Sequence, residues 1–156
     1  MVRGRILENP WNEGNKRKIS NTDKTLYNCG GYALGLFNWF IPWTEEKDKE
    51  LGHVLVHTEK EYENFLMNCV NYMTENLPIR EITSIKELTK KEYAVAFRLA
   101  RDDFHFVKRG ANGIWYDKQG WRPFIDRHTE DEILNNDAWY GRYDSRIVLL
   151  AVKKRG

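Results

Sequence analysis

Three residues that could act together lie along the chain in a usable order: Cys29, His105 and Asp117. A cysteine nucleophile needs a base within hydrogen-bond reach, and the base needs a third polar group to hold its ring. Cys29 follows a polar run and heads the apolar segment Tyr32 to Phe40, which reads as a buried helix. At such a position, free backbone N–H groups and the positive end of a helix dipole favour thiolate over thiol. Of the four histidines, His105 is flanked by Phe104 and Phe106. Strand alternation puts both phenylalanines on one face and the imidazole on the other. Asp117 lies twelve positions on, beyond a turn. In a hairpin centred near Ala111 and Asn112 the two fall opposite each other, or nearly so, on neighbouring strands. An aspartate there would fix the imidazole's tautomer and stabilise the imidazolium. The competing readings are an ordinary buried cysteine and a hydrogen-bonded sheet histidine.

These side chains are positioned by elements of two kinds. Asn28 can cap the first helix through its side chain; Tyr32, Ala33, Leu36, Phe37 and Phe40 recur at helical spacing, and Pro42 ends the segment. Thr58 with Glu61 forms a capping-box pattern. The helix it opens carries Tyr62, Phe65, Leu66, Cys69, Val70, Met73 and Leu77 on one face, with Pro78 closing it. Cys69 reads as core. The second half changes period. Strands are expected at Tyr93 to Leu99, Asp103 to Arg109, Ile114 to Lys118 and Arg146 to Val152, with a hairpin turn over Gly110 to Gly113. Thr129 to Glu132 could start a short helix. Helices first and antiparallel strands after predict an α+β domain in two layers, with N-terminal helices packed on a C-terminal antiparallel sheet. Residues 1–24 read as a polar arm and 25–156 as a single domain.

Composition narrows the class. A chain of 156 residues can bury a core without staples. A net charge of +2 gives no argument for nucleic acid, and Lys16-Arg17-Lys18 and Lys153-Lys154-Arg155 are short. No apolar run reaches membrane-spanning length, since Gly35, Asn38 and Pro42 interrupt the longest. No apolar stretch follows Met1 to Arg5 as in an export signal, and with two cysteines a reduced, cytoplasmic setting is expected. Six Trp, eight Tyr and seven Phe exceed what a core of this volume usually needs. Trp39, Trp43 and Trp115 are candidates to line a substrate groove, the alternative being a Trp-rich core.

Three blocks stand in order: Asn28-Cys29-Gly30-Gly31-Tyr32-Ala33-Leu34, Asp103-Phe104-His105-Phe106 and Asn112-Gly113-Ile114-Trp115-Tyr116-Asp117-Lys118. Together they resemble the papain-like fold of NlpC-type cysteine peptidases, and a set of bacterial and phage proteins with the same ordered blocks. The resemblance covers about a quarter of the chain. It implies a papain-like domain with Cys29 as nucleophile, His105 as base and Asp117 as the orienting residue. The third position is often histidine in those relatives. The N-terminal arm and the aromatic insert Phe37 to Trp43 also depart from a compact cell-wall peptidase.

The expected activity is a cysteine-dependent hydrolase or acyl-transfer enzyme acting on an amide bond of a peptide or protein substrate, without a cofactor. Without an export signal, the substrate would be cytosolic, or the protein delivered by a phage or toxin system. The oxyanion hole would use the Cys29 N–H and one side-chain donor, Asn28 or Asn21. The rival reading is a non-catalytic protein-binding module on the same fold; a single-strand binder using stacked aromatics is a third. His53 and His57 are four apart, but Val54-Leu55-Val56 between them looks like strand and no ligand set completes a metal site. His128, beside Asp126, is expected at the surface.

Overall fold

A computed structural model describes residues 17–18, 27–36, 38–44, 58–120 and 124–154. Asn21, Phe37, the acidic run from Glu45 to Glu50, His53 and His57 lie outside the described residues.

Among the described residues, seven strands form one antiparallel sheet: β1 (Arg17–Lys18), β2 (Ile79–Ile82), β3 (Glu92–Leu99), β4 (Phe104–Arg109), β5 (Trp115–Lys118), β6 (Phe124–His128) and β7 (Val148–Lys153). Their order across the sheet is β1-β6-β5-β4-β3-β7-β2. Three strands are additions to the sequence reading. β1 belongs to the polar arm and pairs Arg17 with Ile125. β2 and β6 carry too much charge in too few residues for alternation to reveal them. The β4–β5 turn is as expected, with Gly113 at φ +80 and the Asn112 side chain accepting from Ile114 N–H at 3.0 Å.

Helix α1 (Cys29–Ala33) and helix α2 (Glu59–Asn76) cover one face. α2 starts at the Thr58–Glu61 capping box and buries Tyr62, Phe65, Leu66, Cys69, Val70 and Met73. Each of these large apolar side chains contributes about 1.5–3 kcal/mol over exposure. They meet Val95, Phe97, Leu99, Phe106, Val148 and Leu150 from the sheet. The other face is covered as well, by α3 (Glu130–Leu134) and the chain that follows it. Ile133 and Trp139 pack there on Ala94, Ala96, Val107 and Trp115. The expected two layers therefore gain a partial third. Coverage on both faces is why all four residues of β5 are buried.

The first helix is shorter than its spacing predicts. It ends at Ala33, with Leu34 as C-cap and Gly35 at φ +70, and the chain then folds back. The Asn28 side chain accepts from Gly31 N–H and Phe40 N–H, both at 3.0 Å, and donates to the Phe40 carbonyl at 2.8 Å. Leu36 and Phe40 still pack against the core, but from a loop. The crossing is close: a Cβ on Gly31 would stand 1.9 Å from the Asn38 carbonyl oxygen. Glycine is the residue that fits there.

Candidate active site

Strand parity assembles the site. The β4–β5 ladder is two pairs long, Lys108↔Tyr116 and Arg109↔Trp115, and continuing its register places Asp117 opposite Val107. His105 is then the diagonal neighbour of Asp117 on the same face, two residues from direct opposition. Direct opposition would centre the hairpin on Ala111; the observed pairing centres it on Asn112, a register difference of two that preserves the face because side chains alternate with period two. β5 next sends Asp117 to the His105 face and Lys118 to the α1 face. α1 packs across both β4 and β5 where their ladder opens, which brings Cys29 to that gap.

His105 is 2% exposed and its Nε2 lies 2.6 Å from Asp117 Oδ2. Cys29 stands close enough to the ring to act on it electrostatically. With Nε2 committed to the carboxylate, Nδ1 is the nitrogen left to serve the thiol. Burial by itself pushes His105 down. The negative charge at Cys29, the hydrogen bond to Asp117 and the Asp117 charge outweigh it and hold the imidazole up at about 10. Tyr143 stacks on the ring at 5.1 Å, while Tyr140 and Trp139 meet it edge-on at 5.6 and 6.2 Å. Asp117 has no exposed surface. Burial raises its carboxyl, but hydrogen bonds and charge from His105 and His128 hold it well below the usual carboxylate range.

The structure thus brings Cys29, His105 and Asp117 together, and it corrects four of the surrounding assignments. The Asn28 amide, expected as an oxyanion donor, is instead engaged in capping α1 and clamping Phe40. Trp115 is fully buried beneath α3, its Nε1 donating to Glu130, and is no groove wall. Trp43 is half-buried, 5.2 Å from both Phe65 and Phe104. Of the three tryptophans, Trp39 alone stays exposed, at 39%. The fourth correction is His128, which points inward from β6 and donates to Asp117 Oδ1 at 2.8 Å. The five-residue α1 also contributes fewer aligned peptide dipoles than a helix reaching Phe40 would.

Lys118 went unassigned in the sequence reading, although it ends the third block. It is fully buried, with its ammonium over the rings of Tyr27 at 5.5 Å and Trp39 at 5.9 Å, and it donates to the Gly120 carbonyl. Burial lowers it to about 8, against the opposing pull of negative charge at Cys29. A cation therefore flanks the sulfur on the side away from Asp117. The signal was available, since alternation from Asp117 sends the next residue to the Cys29 face.

The two large apolar side chains exposed among the described residues, Trp39 and Tyr140, both border this cluster. No group of three or more His, Cys, Asp or Glu among the described residues could hold a metal, and no helix there is long and apolar enough to cross a membrane. Comparison with known protein families, curated proteins and solved structures finds no match to the chain.

Proposed function

We propose that the protein is a cysteine-dependent hydrolase or acyl-transfer enzyme acting on amide bonds of peptide-like substrates, on a papain-like fold of NlpC type. The observation that carries this reading is the buried His105–Asp117 pair, 2.6 Å apart, with Cys29 near enough to act on the same ring. A histidine that only filled the sheet would need neither the thiol nor a fully buried carboxylate.

In this reading His105 Nδ1 takes the Cys29 proton, and the sulfur electron pair attacks the substrate carbonyl carbon. The carbonyl π pair moves to oxygen. The Cys29 N–H, at the first helical position and without an intrahelical acceptor, faces that oxyanion, with the Lys118 ammonium as the second stabilising group in place of Asn28. Collapse breaks the C–N bond, and His105 Nδ1–H protonates the leaving amine. Water, or an acceptor amine, then gives a proton to Nδ1 and attacks the thioester, and the sulfur leaves as thiolate. Trp39 supplies apolar contact at the entrance.

The rival reading, a protein-binding module, draws on the 4% exposure of Cys29. One experiment separates them. With p-nitrophenyl acetate as acyl donor, the enzyme reading expects a burst of p-nitrophenolate, one per chain, with acetyl found on Cys29. The burst is lost in Cys29→Ala and His105→Ala. Acetylation of Cys29 no faster than that of the fully buried Cys69 overturns it.

A further inference from the structure

A catalytic triad asks one hydrogen bond of its third member, yet Asp117 accepts three. His105 Nε2 and the Tyr140 hydroxyl reach Oδ2 at 2.6 and 2.7 Å, and His128 Nε2 reaches Oδ1 at 2.8 Å. The two extra donors come from different parts of the chain. β6 pairs Asp117 with Asp126, so His128 is the diagonal neighbour on the same face. His105, Asp117 and His128 therefore run obliquely across three adjacent strands.

Tyr140 arrives by a less ordinary route. Its φ is +54, and Gly141 follows at +67, inside a turn closed by the Trp139↔Tyr143 bridge. A left-handed conformation costs a residue with a Cβ about 1–2 kcal/mol. It persists where the surroundings over-determine it, and such strain gathers at functional sites. The surroundings here are specific. Arg98, 3% exposed, donates to the carbonyls of Ser145, Asn136 and Asp137, and its guanidinium lies 5.4 Å from the Trp139 ring. That grip holds the turn against the sheet. Tyr140 is 46% exposed, so its hydroxyl could have been left in water; it is instead turned onto a buried carboxylate.

We propose that His128 and Tyr140 are positioning residues, which fix Asp117 in the orientation that aims His105 at Cys29 and tie the charge on His105 to the protonation of His128. This rests on the triad reading above and goes beyond it, since two further residues would govern the base without touching substrate. Two cations, His105 and His128, would share one carboxylate. While His128 is protonated, Asp117 is divided between them; once His128 is neutral, His105 has the carboxylate charge to itself. The groups facing His128 are Asp117 from β5, Asp126 from its own strand, Glu132 from α3 and the Tyr140 hydroxyl, 3.2 Å from Nε2. Burial lowers His128, but its hydrogen bond to Asp117 and those three carboxylates together raise it above 6.5. A cavity of about 190 Å³, lined by Asp117, His128, Glu132, Asn136, Trp139 and Tyr140, gives His128 a side for proton exchange that does not pass Cys29.

The test is imidazole ¹⁵N and ¹H NMR through a pH titration, which needs no substrate, on the full chain and on His128→Gln and Tyr140→Phe. Glutamine keeps an N–H donor near the position of Nε2 and cannot carry the charge. The expected result is an inflection in the His105 Nε2–H signal above pH 6.5, following His128, that His128→Gln abolishes while the signal itself remains. In Tyr140→Phe the same signal shifts, and the acetylation rate with p-nitrophenyl acetate falls about fivefold at unchanged burst amplitude. A His105 signal with no inflection up to about pH 9, or an inflection that survives His128→Gln, overturns the proposal. If the inflection behaves as expected but the full chain gives no burst, the coupling stands and the triad reading fails. A normal burst with no inflection sinks the coupling alone.

Discussion

Replacing Asp117 by asparagine removes one charge from a site where solvent cannot soften the loss. Asp117 and His105 have side-chain exposures of 0% and 3%, with Nε2 and Oδ2 2.6 Å apart. For charge centres about 4 Å apart and an effective dielectric near 20, the attraction is about 4 kcal/mol. The asparagine oxygen can still accept one hydrogen bond, so about half to all of that is lost. The balance between thiolate–imidazolium and thiol–imidazole follows His105 basicity directly, so the charged pair falls by roughly 30- to 700-fold, at about 1.4 kcal/mol per tenfold. A second effect acts in the same direction. If the amide NH₂ faces Nε2, the ring proton is forced to Nδ1, where it points at the sulfur and the base is gone. The assay is carbamidomethylation of Cys29 by iodoacetamide between about pH 6 and pH 8, read by mass spectrometry with buried Cys69 as internal control. Circular dichroism checks that the fold is retained. If Cys29 in Asp117→Asn reacts within about threefold of the parent rate across that range, the carboxylate does not govern the pair and the reasoning fails.

Lys118→Met should lower the acetylation rate about 100-fold, the scale of losing one oxyanion-stabilising group, with a melting temperature unchanged or higher because a buried ammonium is gone. A rate within threefold of the parent would remove Lys118 from the mechanism. Gly31→Ala places a Cβ 1.9 Å from the Asn38 carbonyl oxygen. The chain must shift, at a cost of about 3 kcal/mol or more, so thermal melting should fall by roughly 6–12 °C; a change under about 2 °C would contradict the close crossing. Asp117 also sets an acid limb. Its carboxyl is depressed in the folded state, so its stabilisation is present above the ordinary carboxylate value of 3.8 and is lost progressively as pH falls below it towards the folded value. Calorimetry from about pH 5 downward should show a steeper loss in the parent than in Asp117→Asn, and parallel curves would refute the assignment.

Much of the site was legible because its determinants are local. The Thr58–Glu61 capping box and the spacing from Tyr62 to Met73 define α2 without reference to anything distant. His105 and Asp117 meet although they are not directly opposite, because a register difference of two leaves parity intact. The first helix was misread for the opposite reason. Leu36 and Phe40 are apolar at helical spacing because they return to the core from a loop, and what bends that loop is a tertiary clamp between Asn28 and Phe40. Aromatic content alone leaves Trp115 open between a groove wall and the core. Nothing near it in the sequence announces that Ile133 and Trp139 cover it. His128 was missed with its strand, since Phe124 to His128 shows no alternation strong enough to mark an inward face.

The third position explains why the neighbourhood of this site is so crowded. A histidine there could be buried neutral with one donor and one acceptor satisfied. Aspartate buried without exposed surface brings more acceptor sites than a single imidazole N–H satisfies. The surrounding chain meets that demand with His128 from β6 and a strained Tyr140 from the turn that Arg98 anchors. A hydrophobic triple of similar volume would commonly serve stability as well or better. The chemistry proposed at Cys29 would call for a buried carboxylate attended by two histidines and a tyrosine, with a buried lysine behind the thiol; the stability of the sheet alone would not.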